Sequence, residues 1–155
     1  MKEFLFNQLK VVRSNTINAV QEISESRADL IPVGFNNNIR WNLGHVYLVQ
    51  EKFAFEFAQE PMQLPEKFPD LFGRETKPAD WKVQPPSLTD LIGLLENQTN
   101  RIKDKLNNRL YEAVSNPLTM PSGLTLKTIG EFLTFSMYHE GMHVQTIKML
   151  KRFSS

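Results

Sequence analysis

The chain has 155 residues, a length that buries roughly 68–70% of the surface its unfolded form exposes, so one domain spanning residues 1–155 can fold around its own core without staples. Lys plus Arg number 18 against 17 Asp plus Glu and no basic run stands out, so the phosphate-neutralising footprint of a nucleic-acid binder is missing. The absence of cysteine removes disulfides, thiolate metal ligands and cysteine nucleophiles together.

The first residues, Met1 to Gln8, carry an acid at once and no apolar stretch of signal-peptide length, and no later run approaches about 18 apolar residues. The expectation is a cytoplasmic protein with no membrane partner. Phe4, Leu5, Leu9, Val12, Thr16, Val20 and Ile23 then recur at intervals of three and four, which predicts a first helix over about 2–26. After Pro32 and Gly34, Asn36-Asn37-Asn38 offers a cap for a second helix that runs to about Ala58. Its inward side carries Trp41, Asn42, His45, Leu48, Val49 and Phe53.

Residues 59–86 hold six of the nine prolines together with Phe68, Phe72 and Trp81, too apolar a mixture for a flexible linker. This connection is expected to form a wall or cover beside a site. Ser87, with Asp90 three residues on, caps a third helix over about 88–113, and Asn116-Pro117 stops it. A cap at Ser122 or Thr125 opens the last helix, whose stripe is Ile129, Phe132, Ser136, His139, His143, Ile147 and Leu150. No strand alternation is evident. The fold class expected is therefore all-α, a four-helix bundle with a long second-to-third helix connection.

All three histidines fall on inward helix faces. His139 and His143, in His139-Glu140-Gly141-Met142-His143, sit four residues apart, about 400° of rotation and 6 Å of rise, so they point the same way from consecutive turns. Helical phase puts His45 on the inward side of its own helix. Burying three unpartnered imidazoles costs on the order of 1–3 kcal/mol each, whereas one divalent ion satisfies a nitrogen on all three. A nitrogen-only set suits zinc, nickel, iron or copper better than magnesium or calcium, and three protein ligands leave a coordination position for water or substrate.

Glu140 completes a literal His-Glu-Xaa-Xaa-His, but the Gly-Xaa-Xaa-His continuation and the downstream glutamate of the zinc proteases do not follow. On the flank of the site, Glu140 is a candidate general base, an outer hydrogen-bond acceptor or a solvated charge. Asn42, one turn before His45, is a candidate to hydrogen-bond a ligand, or else to satisfy the helix start. Phe53, Phe132 and Phe135 read most simply as core, with an apolar pocket wall, joined by Trp81, as the alternative.

Asn38-Ile39-Arg40-Trp41-Asn42-Leu43-Gly44-His45, Pro121-Ser122-Gly123 with Thr128-Ile129-Gly130-Glu131, and His139-Glu140-Gly141-Met142-His143-Val144-Gln145-Thr146-Ile147 together resemble the DinB family, also called DinB/YfiT-like, over essentially the full chain. The resemblance implies a four-helix bundle, commonly a homodimer, with a divalent transition metal (zinc, nickel or iron) on His45, His139 and His143. The family often has Gly-Gln where this chain has Val144-Gln145, a departure that bears on local packing and not on the ligands. Family members include thiol S-transferases using bacillithiol or mycothiol, an isomerase, and metal-bearing domains of larger enzymes. The leading expectation is a transferase moving a low-molecular-weight thiol to a small-molecule electrophile. Two others stand beside it: a metal-dependent hydrolase with Glu140 as base, and a non-catalytic metal-binding stress-response module.

Overall fold

A computed structural model describes residues 2–154. Four long helices, α1 (Lys2–Val20), α3 (Ile39–Glu51), α5 (Leu88–Leu106) and α6 (Ile129–Phe153), form the frame, with two short helices, α2 (Glu25–Ala28) and α4 (Phe68–Phe72). Each long helix packs on two others: α6 on α1 and α3, and α5 on α3 and α1. No helix among the described residues is long and apolar enough to cross a membrane.

The first helix ends at Val20, short of residue 26, because the chain turns and Ser24 caps α2 by accepting from the Arg27 backbone N–H. The buried stripe of α1 keeps Leu9, Thr16 and Val20 of the expected one but is rotated toward Phe6 and Arg13, leaving Leu5 and Val12 half-buried and Phe4 exposed. The rotation turns a charged residue, Arg13, into the interior.

Asn38 caps α3 as expected, its Oδ1 accepting from the Trp41 backbone N–H at 2.8 Å. α3 then widens into a π-helical turn over Lys52–Glu56, which carries the chain to Ala58. The proline-rich connection is ordered by apolar packing. Phe68, Leu71 and Phe72 of α4 bury against α3, the Trp41 indole N–H donates to Thr76 Oγ1 at 2.8 Å, and the Trp81 indole N–H donates to Leu71 O at 2.8 Å.

Ser87 and Asp90 form the capping box of α5. The fold is mostly helical but not all-α: β1 (Ala113–Thr119) and β2 (Thr125–Thr128) make an antiparallel hairpin between the third long helix and the last, where no strand was expected. The helix stops at Leu106, before Asn107 and Asn108, poor helix formers. Pro117 sits in the irregular stretch of β1, between Ala113↔Thr128 and Leu118↔Leu126, where the ladder skips register and a missing N–H is tolerated. Gly123, at φ +88°, closes the turn. Because residues through Thr128 are extended, the cap of α6 is Thr128 with Glu131, and neither Ser122 nor Thr125.

Two apolar clusters fill the interior. One gathers Ile39, Leu43, Val46, Leu91, Leu95, Ile147 and Leu150; the other gathers Phe6, Leu9, Phe55, Ile102, Leu106, Ile129 and Phe132. Between them along the helices lie the buried polar residues Arg13, Thr16, Gln98, Glu51 and Glu140.

Candidate metal centre

α3 supplies His45, and α6 supplies His139 and His143 from consecutive turns. One nitrogen from each of the three rings lies within 4.8 Å of the other two. The ring centroids of His45 stand 5.2 Å from His139 and 4.9 Å from His143, and those of His139 and His143 are 4.5 Å apart. The three residues that spacing and phase brought forward are thus one cluster.

Hydrogen bonds fix which nitrogen two of the rings, His45 and His143, present. His45 Nδ1 is 2.7 Å from the Phe72 carbonyl, which can only accept, so Nδ1 carries the proton and Nε2 holds the lone pair. His143 Nδ1 is 2.8 Å from Asn42 Oδ1, while Asn42 Nδ2 donates to Asn38 O at 2.7 Å. That second bond orients the amide, so Asn42 Oδ1 accepts from His143 and again leaves Nε2 bare. His143 Nε2 then faces His139 Nε2 at 3.2 Å. Two nitrogens bound at 2.0–2.1 Å to a tetrahedral ion stand about 3.3 Å apart, so the spacing fits a shared cation.

Burial pushes all three imidazoles toward the neutral form that a ligand requires. His45 is lowered; His139 is lowered to about 4, with the His45 ring adding to the effect, and His143 to about 3, with the other two histidines adding and Glu140 opposing. His45 is buried, while His139 and His143 keep partial access to solvent, so the cluster is open on the α6 side. Trp41 closes the other side, stacked on His45 at 4.6 Å between centroids and 11° between planes. Among the described residues no carboxylate joins the group, so the three-histidine set can hold a divalent ion without itself identifying the metal.

The match to a sequence family decides the wider assignment: the profile of the DinB superfamily covers residues 8–147. The chain belongs to the DinB superfamily. A solved structure described as a conserved protein from Enterococcus faecalis shares this superfamily chain's fold, with TM-score 0.72, 13% identity, and coverage of 99% of this chain and 96% of that one. No curated protein matches.

Asn42 bonds a candidate ligand, His143 of the facing helix and not its own-helix neighbour His45, and its Nδ2 bond to Asn38 O also serves the start of α3. Glu140 is not a solvated charge. It is 2% exposed; its Oε1 accepts from Arg13 Nε at 2.8 Å and Thr16 Oγ1 at 2.6 Å, and its Oε2 accepts from Arg13 Nη2 at 3.1 Å. Arg13 also donates to Leu95 O and to Gln98 Oε1, and Gln98 Nε2 donates to Glu51 Oε1, which pairs with Arg101. A chain of charge-assisted bonds therefore fills the polar layer and ties α6 to α1, α5 and α3.

Phe53 meets Phe132 edge-on at 5.6 Å and Phe135 at 6.1 Å, and Phe53 and Phe135 stay half-buried. These rings lie one to two helical turns from the histidines. Trp81 is elsewhere, edge-on to Phe72 behind α4. Phe72 is the functional contributor that spacing missed, because it acts through its backbone carbonyl. Arg13 was missed because a charge on an amphipathic helix reads as surface, whereas Thr16 was placed on the inward stripe without its bond to Glu140 being foreseen.

Proposed function

We propose that this chain is a metal-dependent enzyme whose centre is His45, His139 and His143, and that it transfers a low-molecular-weight thiol of the bacillithiol type to a small electrophile. The observation that carries the reading is the pairing of two fixed Nδ1–H tautomers with three converging ring nitrogens. Such an arrangement holds an ion with a position to spare. A divalent ion bound there supplies the Lewis acidity that favours a coordinated thiol in its thiolate form.

The protein's own residues do the rest. The Phe72 carbonyl and Asn42 lock the rings of His45 and His143, Trp41 shields the inner side from water, and the Phe53–Phe135 wall offers an apolar bed for the electrophile. In the transfer, the thiol proton leaves to solvent, a C–S bond forms at the electrophilic carbon, and the leaving group departs with the electron pair of its broken bond. The chain has no cysteine, so the sulfur comes from outside.

Hydrolysis with Glu140 as base fits less well, because that carboxylate is held by Arg13 and Thr16. A homodimer belongs to the proposal on the strength of the family resemblance. The test is direct: zinc-, nickel- or iron-loaded protein is mixed with bacillithiol or another small thiol and monochlorobimane. A conjugation rate well above that of a His45→Ala control is expected. A rate equal to the control with every thiol and metal contradicts the transferase reading, and loss of the folded state on metal removal without any turnover favours a binding module.

A further inference from the structure

A cavity of about 670 Å³ lies beside the N-terminal half of α6, lined chiefly by Leu110, Tyr111, Leu124, Leu126, Phe135 and Tyr138. Its size falls within the range of about 300–1,000 Å³ typical of small-molecule sites. Two of its residues share α6 with the candidate ligands: Phe135 is one turn, about 6 Å of rise, before His139 on the same side of the helix, and Tyr138 immediately precedes His139 on the neighbouring, exposed side. Phe135 also touches Phe53 and Tyr138, at 6.1 and 5.8 Å between ring centroids, so one aromatic wall is continuous from the cavity toward the histidines.

The polar groups at its edge are already engaged. Glu131 Oε2 accepts from the backbone N–H groups of Lys127 and Thr128, Thr128 Oγ1 accepts from Glu131 N, and Thr134 Oγ1 donates to Gly130 O at 2.8 Å. The polar groups left over, the hydroxyls of Tyr111 and Tyr138, belong to exposed rim residues, and the Glu131 carboxylate, held ionised by those backbone donors, disfavours an anionic ligand. Yet Tyr111, Leu124 and Tyr138 are 68%, 50% and 62% exposed, a contiguous apolar surface of the kind that marks a binding site.

We propose that this cavity receives the uncharged apolar tail of an amphipathic substrate whose polar head coordinates the metal at His45, His139 and His143. The inference rests on the metal-centre reading above and adds the substrate class. The head sits at the exposed edge of His139, and the tail runs along α6 over Phe135 and Tyr138, one to two turns or roughly 6–12 Å, into the space under the hairpin.

The probes are acetohydroxamate and octanohydroxamate, which share one metal-binding head and differ only in tail, titrated calorimetrically into zinc-loaded protein. Each buried methylene is worth roughly fourfold in affinity, so burial of about three to four of the six methylenes by which the long probe exceeds the short one is expected to tighten binding on the order of 100-fold. In Leu124→Asp the ratio of the two affinities falls below about threefold, and in Leu124→Trp the preferred chain is shorter. Both changes are at a half-exposed hairpin position, and circular dichroism confirms folding. A ratio near one in the unmodified protein overturns the tail site while leaving the metal centre standing. No zinc-dependent binding of acetohydroxamate overturns the metal reading, and this inference with it. Equal octanohydroxamate binding with and without zinc breaks the proposed link between head and tail. If light scattering shows a dimer that Leu124→Asp dissociates, with no chain-length gain, the surface is a contact between copies and the proposal fails.

Discussion

Phe72 fills the space that a side chain on Gly44 would occupy: its ring carbons lie 2.4–2.5 Å from where a Cβ would stand, and the carbonyl of the same Phe72 holds His45 Nδ1 at 2.7 Å. A missing side chain on α3 therefore sets the orientation of the neighbouring ligand through the backbone of α4. Gly44→Ala is expected to push Phe72 away, cost about 1–3 kcal/mol of stability by overpacking, and weaken metal binding by about 10–100-fold. Urea unfolding with a zinc titration of the apoprotein checks both numbers. An alanine variant with unchanged zinc affinity contradicts the link.

Asn42 holds His143 from across the helix interface, and that contact separates ligand positioning from core packing. Asn42→Ala should lower zinc affinity by about 10–100-fold, while Asn42→Asp, which keeps an acceptor, recovers most of it. A competition titration against a chelator of known affinity gives the comparison. Equal loss in both variants means that Asn42 matters for folding alone.

Glu140 and Arg13 are 2% and 4% exposed and are each other's charge partner. Breaking such a pair from one side leaves a buried charge uncompensated, so Arg13→Met should cost about 3–5 kcal/mol in urea unfolding. The double variant Arg13→Met with Glu140→Leu should recover much of that loss. Glu140→Gln is expected to lower stability while leaving conjugation per folded molecule within about twofold. A selective collapse of turnover in a fully folded Glu140→Gln protein restores the base role to this residue.

The metal-free protein should lose stability on acidification. An imidazole in the unfolded chain takes its proton near pH 6.5, whereas burial lowers His139 to about 4 and His143 to about 3. Between those values the unfolded state binds more protons than the folded state, so falling pH favours unfolding. The stability is fully present above about pH 6.5 and declines toward pH 4 and then 3, by up to about 1.4 kcal/mol per pH unit for each ring still neutral. Urea midpoints at pH 7.5, 6.0 and 5.0 measure the slope, and His143→Leu should flatten it. A flat profile in the unmodified apoprotein contradicts the burial of neutral rings.

The three-histidine cluster was legible because helical periodicity is a strong physical signal: four residues bring His139 and His143 to one face, and the Trp41-to-Phe53 stripe turns His45 inward. Of the capping side-chain oxygens, those of Asn38 and Ser87 were legible for the same local reason, whereas Ser24 and Thr128 were not anticipated as caps. The hairpin was not. β1 and β2 are short, and β1 is interrupted by Pro117, so their alternation is too brief to register beside the helical pattern of Leu106 and Leu110. Long-range polar choices were also hidden. Nothing local distinguishes Arg13, which reaches Glu140 at a separation of 127 residues, from a solvated arginine, and the carbonyl of Phe72 has no side-chain signature.

The central claim is that His45, His139 and His143 bind one ion together. X-ray absorption of zinc-loaded protein, with elemental analysis, tests it most directly. The account predicts one zinc per chain, three imidazole nitrogens at about 2.0–2.1 Å plus at least one exchangeable oxygen ligand from water, and loss of that signature in His45→Ala as well as in His143→Ala. Zinc that binds with no imidazole scattering, or a spectrum unchanged when His45 is removed, would contradict it.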